Sequence, residues 1–493
     1  MKKTLLALLT AVLLFAQGWP SGPSPYREAD RKLFAEIEKN NQLIESLEYL
    51  CDMIGPRLTG SDKLKRANQW TLEKFQAYGL ENAHLESWSI GHGWSRGTAA
   101  GRIVEPAAQR LAISSAGWSP STNGPVRGRV VYVKAEKPEE MEKYKGQLKG
   151  TVILTTEPAK VPSDQRAADR PPNAIAALAQ ERGEDLNIPP AERIKLRRQI
   201  NEIYQKEGVA AVLRDSSKEH GLFNMGGVGG SNYDLGLIPT AYATHEDYAL
   251  LWRLLEHKQP LEVEVDIHNE ITSEPVEVYN TVAEIPGGEK ANEVVIIGAH
   301  LDSWDLGEGA TDNATGSSVA LEVARAIRTS GLKPERTLRF ILFSGEEQGL
   351  NGSRAYVKAH QSEMDKVQGV VIHDTGTGRV KSFALQNRYD LREAMDKLVE
   401  PLREVGLEEL SLRWMGGSDH VPFAEVGVPA FMGIQDPAEY RKTHHSQSDT
   451  LDKIKREELV QGAKVVAALA WNLSADPEKL PRKEMEASSQ STE

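Results

Sequence analysis

Between residues 273 and 473 short apolar runs alternate with helical stretches: NEVVIIGAH, GSSVALEVARAI, RTLRFILFS, NGSRAYVKAH and VQGVVIHD follow one another. Runs without a polar face belong to strands covered on both sides, and strands separated by helices pair in parallel. The expected architecture is α/β, with a mostly parallel (mixed) sheet covered by helices on both faces. Ligands of such sheets lie beyond the carboxyl ends of the strands. That is where this sequence concentrates its ionisable groups.

VVIIGAHLD ends at His300 and Asp302, and Asp305 and Asp312 follow before a helix begins. LRFILFSGEE ends at Glu346 and Glu347, and GVVIHDTG at His373 and Asp374. GGSDHVPF presents Asp419 and His420, and THHSQSDTLDKI presents His444, His445 and Asp449. Two like charges about 4 Å apart repel by roughly 4 kcal/mol at an effective dielectric near 20. Such a gathering therefore requires protons or a cation. Cys51 is the only cysteine, so no thiolate cluster or internal disulfide exists. Imidazoles among oxygens favour zinc, with cobalt or manganese as substitutes, over calcium or magnesium. Two divalent ions would balance three ligand carboxylates, a basic glutamate and a hydroxide to within about one charge. Adjacent residues on a strand point to opposite faces, so Glu346 and Glu347 reach one site only from a loop. One would then bind metal while the other takes a proton from the attacking water.

The rest of the 493 residues organises around this region. Residues 28–50 have helical spacing, with Leu33, Ile37, Ile44 and Leu47 on one side. KLKRANQWTLEKFQAYG forms a second helix closed by Gly79, and NAHLESWSI reads as a strand. Residues 28–96 are therefore assigned to the catalytic domain. From 97 to 272 short β runs (GRVVYV, GTVILT, GVAAVL, LEVEVDI) indicate a separate β-rich domain, and the charged, proline-bearing stretch near 160–205 reads as an insertion or lid. GGVGGS, from Gly226, lacks the lysine of a phosphate loop and reads as a flexible turn. The tail 474–493 is polar and expected to be disordered. Residues 1–18 read as a secretory signal, with Lys2 and Lys3, an apolar run from Leu5 to Phe15 and a small-x-small site at Ala16–Gly18. That run is short for a membrane anchor and no later one is long enough, so the expected protein is secreted or periplasmic. A net charge of -12 excludes nucleic acid and anionic membrane as main partners. Neither Ser344 nor Ser418 lies in a G-x-S-x-G elbow, which argues against serine hydrolysis.

In their order and near-spacing, AHLDS, GATDNATG, SGEEQGLNGS, VIHDTG, GGSDHVPF and HHSQSDT resemble the motifs of the co-catalytic di-zinc metallopeptidase family of bacterial leucyl aminopeptidases and carboxypeptidase Q. The resemblance implies a zinc-peptidase (phosphorylase/hydrolase-like) fold, with residues 97–272 as an inserted protease-associated domain. It implies two Zn(2+) per chain held by His300, Asp312, Glu347, Asp374 and His445. Asp312 would bridge, His300 and Asp374 would complete one site, and Glu347 and His445 the other. Glu346 would be the general base and Asp302 would orient His300, with Asp449 acting similarly near His445. His444 would touch substrate or oxyanion, and a cis peptide would join Asp312 to Asn313. Asp419 would brace its loop by hydrogen bonding, and Trp304 would line the substrate cleft. The implied protein is a homodimer and an exopeptidase of short peptides or dipeptides, with either end recognised. A single-zinc glutaminyl cyclase and a non-catalytic peptide-binding or receptor ectodomain are the rival readings on the same fold. Singly, each residue has a plainer role: His300 in the core, Asp312 as a helix cap, Glu346 and Glu347 in a solvated loop, Asp374 in a turn. Their recurrence at one sheet edge is what argues for a site.

Overall fold

The computed structural model describes residues 24–161, 190–228 and 233–483. The expected signal, 1–18, lies outside the described residues. The first sheet has seven strands in the order Glu81–Ile90, Val276–Ile285, Arg336–Phe343, Lys290–His300, Val367–Ile372, Ala430–Gln435, Val380–Ala384. Its four central strands, from Arg336–Phe343 to Ala430–Gln435, are parallel. The remaining pairings are antiparallel. The sheet is thus mixed with a parallel centre rather than parallel through most of its width.

Strand periodicity divides the core. Val295, Ile297, Ala299, Leu338, Phe340 and Leu342 point to one face and pack under the helices Arg27–Asn40, Asp62–Ala77, Thr315–Ser330 and Arg456–Ala475. Val294, Ile296, Ile341 and Phe343 point to the other, under Tyr356, Val357 and Phe423 of the helices Asn351–Ala359 and His420–Glu425. With both faces covered, the strands need the continuous apolar character seen in the sequence. The helix expected over 28–50 breaks at Asn41, whose backbone is extended, and resumes at Leu43–Glu48. The second helix runs over Asp62–Ala77, and Gly79 follows it at φ 77°.

The second sheet has eight strands, in the order Gln109–Leu111, Trp94–Glu105, Glu262–Ile271, Val126–Tyr132, Val152–Leu154, Ala211–Asp215, Thr240–Ala243, Ile113–Ser115. Its strands span 94 to 271, beginning three residues earlier than the sequence suggested. It is more than β-rich, because a helix covers each face. Tyr248 and Leu251 of His245–Glu256 pack on one side, and Ile200 and Tyr204 of Pro190–Glu207 on the other. The supposed insertion therefore supplies core from 190 onward, while 162–189 lies outside the described residues. The unit leaves the first sheet where Ile90 pairs with Val276, and its own first pair there is Trp94 with Ile271. Entry and exit are neighbours, which is how one fold accepts another inside a loop.

The tail is ordered further than expected. Arg336, 1% exposed, donates to the carbonyls of Leu473, Ser474, Asp476 and Glu478, and Leu480 is buried. Of the expected tail, residues 484–493 lie outside the described residues. No helix among the described residues is long and apolar enough to cross a membrane.

Candidate metal centre

The strand Lys290–His300 ends by placing His300, fully buried, under two carboxylates. His300 Nε2 lies 3.1 Å from Asp374 Oδ1 and 3.3 Å from Asp312 Oδ1. Nδ1 lies 3.0 Å from the main-chain oxygen of Asp302. A carbonyl only accepts, so Nδ1 carries a proton and neutral His300 turns a lone pair toward both acids. That arrangement demands a cation or a second proton at Nε2. Burial pushes the His300 pKa down, but the Asp374 charge and hydrogen bonds to Asp312 and Asp374 hold it well above its usual value.

Asp312 faces both ways. It sits in the turn Ala310–Ala314, ahead of the helix Thr315–Ser330, and its peptide bond to Asn313 is cis. While Oδ1 faces His300, Oδ2 lies 3.6 Å from His445 Nε2 and 3.9 Å from His444 Nε2. His445 Nε2 also lies 2.8 Å from Glu347 Oε2. Two potential ligand groups share Asp312: His300, Asp312 and Asp374, and Asp312, His444 and His445. Both histidines face Asp312, but only His445 meets Glu347 as well. The helix N-terminus packs tightly at this point, since a Cβ at Gly316 would come within 2.2 Å of the His373 carbonyl.

Glu346 and Glu347 lie beyond the strand Arg336–Phe343, in the loop that their adjacency requires. The loop turns at Gly345, φ 77°, where a Cβ would come within 2.5 Å of the Tyr233 hydroxyl and 2.6 Å of Trp88. Glu347 is buried and Glu346 half-buried, with no hydrogen bond to the Glu346 carboxylate among the described residues. Burial pushes both carboxyls well above their usual range. For Glu346, His300 opposes this while Asp374, Asp419 and Glu347 add to it. For Glu347, Asp312 adds to it.

The supporting groups differ in part from expectation. Asp302 holds His300 through its main-chain oxygen, with its carboxylate Oδ1 3.7 Å from the ring. That carboxylate instead accepts from the amides of Glu346 and Glu347, at 3.2 and 3.4 Å, and from Thr59 Oγ1 at 3.0 Å. Asp449 braces the Asp312 turn rather than His445, accepting from Thr311 N at 2.6 Å, Thr311 Oγ1 at 2.7 Å and Asp312 N at 3.1 Å. Asp419 accepts from Ser353 Oγ at 2.5 Å, as a loop brace does. Trp304 is only 5% exposed and sets its indole edgewise to His445, centroids 6.0 Å apart, so it walls the site beneath that ring. Asp305 does not join the cluster. It forms a two-point pair with Arg96, at 2.7 and 2.9 Å, and ties the two sheets together.

Two contributors carried no signal in their local sequence. Arg57, fully buried, donates to the carbonyls of Gly55, Leu301, Glu308 and Gly309 and so fixes the loop after His300. The second sheet's unit also sends a loop against the His445 turn. Met225 N donates to His445 O at 2.8 Å, Phe223 N to Gln447 Oε1 at 2.9 Å, and Gln447 Nε2 to Gly221 O at 3.0 Å.

The donor set of two histidines, two aspartates and a glutamate suits zinc. Asp312 Oδ2 and Glu347 Oε1 are buried with no hydrogen-bond partner among the described residues. Buried acceptors are rarely left so, and a cation held by Asp312 and Glu347 would satisfy both. The residues fit a metal. Residues 280–470 match Peptidase family M28. The chain is a relative of the M28 peptidases. Carboxypeptidase Q of Mus musculus is 28% identical over 445 residues, covering 90% of this M28 relative and 87% of that protein. The crystal structure of a peptidase M28 precursor from Shewanella amazonensis matches with a TM-score of 0.74 and 25% identity, over 93% of this chain and 99% of that one. BSAP, a zinc aminopeptidase from Bacillus subtilis, shares the fold, with a TM-score of 0.61 and 19% identity over 91% and 95% of the two chains.

Proposed function

We propose that this chain is an exported di-zinc exopeptidase that hydrolyses short peptides or dipeptides. The observation that carries the reading is Asp312, whose two oxygens face two separate groups of potential ligands. His300 and Asp374 would hold one zinc with Asp312, and Glu347 and His445 the other. A single-zinc cyclase leaves no use for the His300–Asp374 pair. The family match, and the zinc of the fold relative from Bacillus subtilis, support the choice of ion. Residues 94–271 we read as the family's protease-associated domain, and the N-terminal segment as the export signal.

Bound zinc would lower the pKa of a coordinated water toward 7 and polarise a peptide carbonyl. The chain supplies the rest. Glu346, whose carboxylate has no hydrogen bond among the described residues, takes a proton from the attacking water and delivers it to the departing amine nitrogen. Asp302 keeps that glutamate in place by accepting from its amide. Asp449 fixes the Asp312 turn, and Trp304 walls off water beside His445.

Purified protein should bind two zinc ions, cleave a dipeptide panel, and lose that activity to a chelator. Glu346→Gln should keep both ions while kcat falls about 10²- to 10⁴-fold. Parent-rate turnover by Glu346→Gln overturns the mechanism. One tightly bound ion, with cyclisation of N-terminal glutamine, overturns the function.

A further inference from the structure

The loop that carries Glu346 and Glu347 is held from the inserted unit as well as from its own sheet. Tyr233 belongs to the second sheet's unit, between the strands Ala211–Asp215 and Thr240–Ala243, and is 2% exposed. Its hydroxyl lies 3.5 Å from the Gly345 carbonyl and 3.3 Å from Gln348 Oε1, and accepts from Asn351 Nδ2 at 3.3 Å. These contacts all fall within 345–351, the stretch that holds the candidate general base. The ring is fixed at the root of the inserted unit. Trp118 meets it edgewise, centroids 4.9 Å apart, and donates from Nε1 to the His92 carbonyl at 2.9 Å, where the chain passes between the sheets. Trp88 of the strand Glu81–Ile90 flanks it, centroids 6.1 Å apart. Tyr233 has φ 56°, a left-handed conformation uncommon for a bulky residue and kept only where the surroundings enforce it.

A buried phenol satisfied by its neighbours is ordinary in a core. What distinguishes this one is the proton count around Gln348. Thr59 Oγ1 stands 2.7 Å from Gln348 Oε1 and 3.0 Å from Asp302 Oδ2, and a hydroxyl has one proton to give. The Asp302 carboxylate is the group that accepts the amides of Glu346 and Glu347. Gln348 Nε2 is buried with no partner among the described residues, so Oε1 alone anchors that side chain. The Tyr233 hydroxyl is the other donor to Oε1 among the described residues, and supplying that oxygen leaves the Thr59 proton to Asp302. A continuous chain of contacts then runs from the inserted unit through Gln348, Thr59 and Asp302 to the amide of Glu346.

We propose that Tyr233 is a positioning residue for Glu346: its hydroxyl fixes Gln348 and leaves the Thr59 proton to Asp302, whose carboxylate holds the Glu346 amide. This rests on the peptidase reading, and it makes the inserted unit a brace on the general base's side of the centre as well as at the His445 turn. Without the phenol, Gln348 Oε1 draws the Thr59 proton and Asp302 loses a donor. The loop at 345–349 is then freer to swing its base away from the attacking water. The loss falls on the chemical step rather than on substrate binding, because the hydroxyl touches only this loop and the residue that opens the next helix.

The test compares metal-loaded parent, Tyr233→Phe, Thr59→Val, Thr59→Ser and the double variant Tyr233→Phe/Thr59→Val on alanylleucine. Amide hydrogen exchange of residues 344–350 is followed in the same proteins. In Tyr233→Phe, kcat should fall roughly 3- to 10-fold, the range of one neutral hydrogen bond, with KM and zinc content at parent values. Exchange at 344–350 should quicken by a similar factor while the remaining segments keep their parent rates. Thr59→Ser retains the hydroxyl and should retain kcat. The double variant should be no slower than Thr59→Val alone, since both changes break one chain. Parent kcat in Tyr233→Phe, or losses that multiply in the double variant, overturn the proposal. Loss of zinc, or exchange that quickens throughout the protein, marks a merely structural role and overturns it too. Parent protein that cleaves no peptide overturns the peptidase reading, and exchange at 344–350 then decides alone whether Tyr233 holds the loop.

Discussion

Each of the two sheets brings an acid and a histidine together at the end of a parallel strand, and each treats the pair differently. In the second sheet Asp215 closes the strand Ala211–Asp215 and is fully provided for. Oδ1 accepts from Ser217 N at 2.9 Å, Oδ2 from Ala159 N at 2.8 Å, and His245 Nδ1 lies 3.0 Å from Oδ2. In the first sheet His300 offers one nitrogen to two carboxylates, while Asp312 Oδ2 and Glu347 Oε1 lie buried without donors among the described residues. The residue types are the same. What separates a structural pair from a reactive centre is demand that the protein itself leaves unmet.

Asp30 offers a third outcome. It is buried on the helix Arg27–Asn40, receives one bond from Asn472 Nδ2 at 3.2 Å, and leaves Oδ1 without a partner among the described residues. With neither metal-ligand company nor sufficient donors, it keeps a proton, and burial pushes its pKa up to about 7.

The sharpest way to break this contrast is Asp312→Ala. Removing the shared ligand should take zinc from two ions per chain to one or none, read by elemental analysis, and drop peptide turnover below detection. Two retained ions would mean that the two ligand groups are independent. The next largest effect is at Asp30. Between about pH 4 and pH 7 the folded chain holds a proton that the unfolded chain releases, so stability falls as pH rises through that window. Asp30→Asn should therefore leave stability near pH 4 unchanged and raise it at pH 8, by at most about 4 kcal/mol at 1.4 kcal/mol per pKa unit. Denaturant melts of the metal-free protein at both pH values measure this, and an equal gain at both would show that Asp30 is already ionised. The smallest effect is expected from Asp215→Asn, which replaces an acceptor facing two amides. It should cost roughly 1–3 kcal/mol of stability without altering zinc content or turnover per folded molecule. A drop in bound zinc would mean that the second sheet holds metal too.

The parallel centre of the first sheet and the positions of His300, Asp312, Glu347 and Asp374 were legible because each depends on short-range sequence. An apolar run sets a strand, and the residues just after it fall at its carboxyl edge. The assignments that shifted depend on distant partners. Asp305 follows His300 by five residues and looks equally available, but Arg96 of the other sheet claims it. Asp449 stands four residues after His445, yet the bonds it accepts come from the turn at Thr311. Arg57 lies in GPRLTG, which resembles an ordinary loop until it is seen buried among carbonyls. The extent of the tail escaped notice because Asp476 and Glu478 are held by their main-chain oxygens, which any sequence provides.

The bonds from Gly221, Phe223 and Met225 to the turn at His445 have a practical consequence for anyone wishing to miniaturise this protein. A shortened version retaining only 273–473 would sever the outermost strand at 81–90 and strip away the neighbour that clasps one candidate zinc ligand. The inserted unit is better regarded as part of the catalytic frame than as detachable baggage.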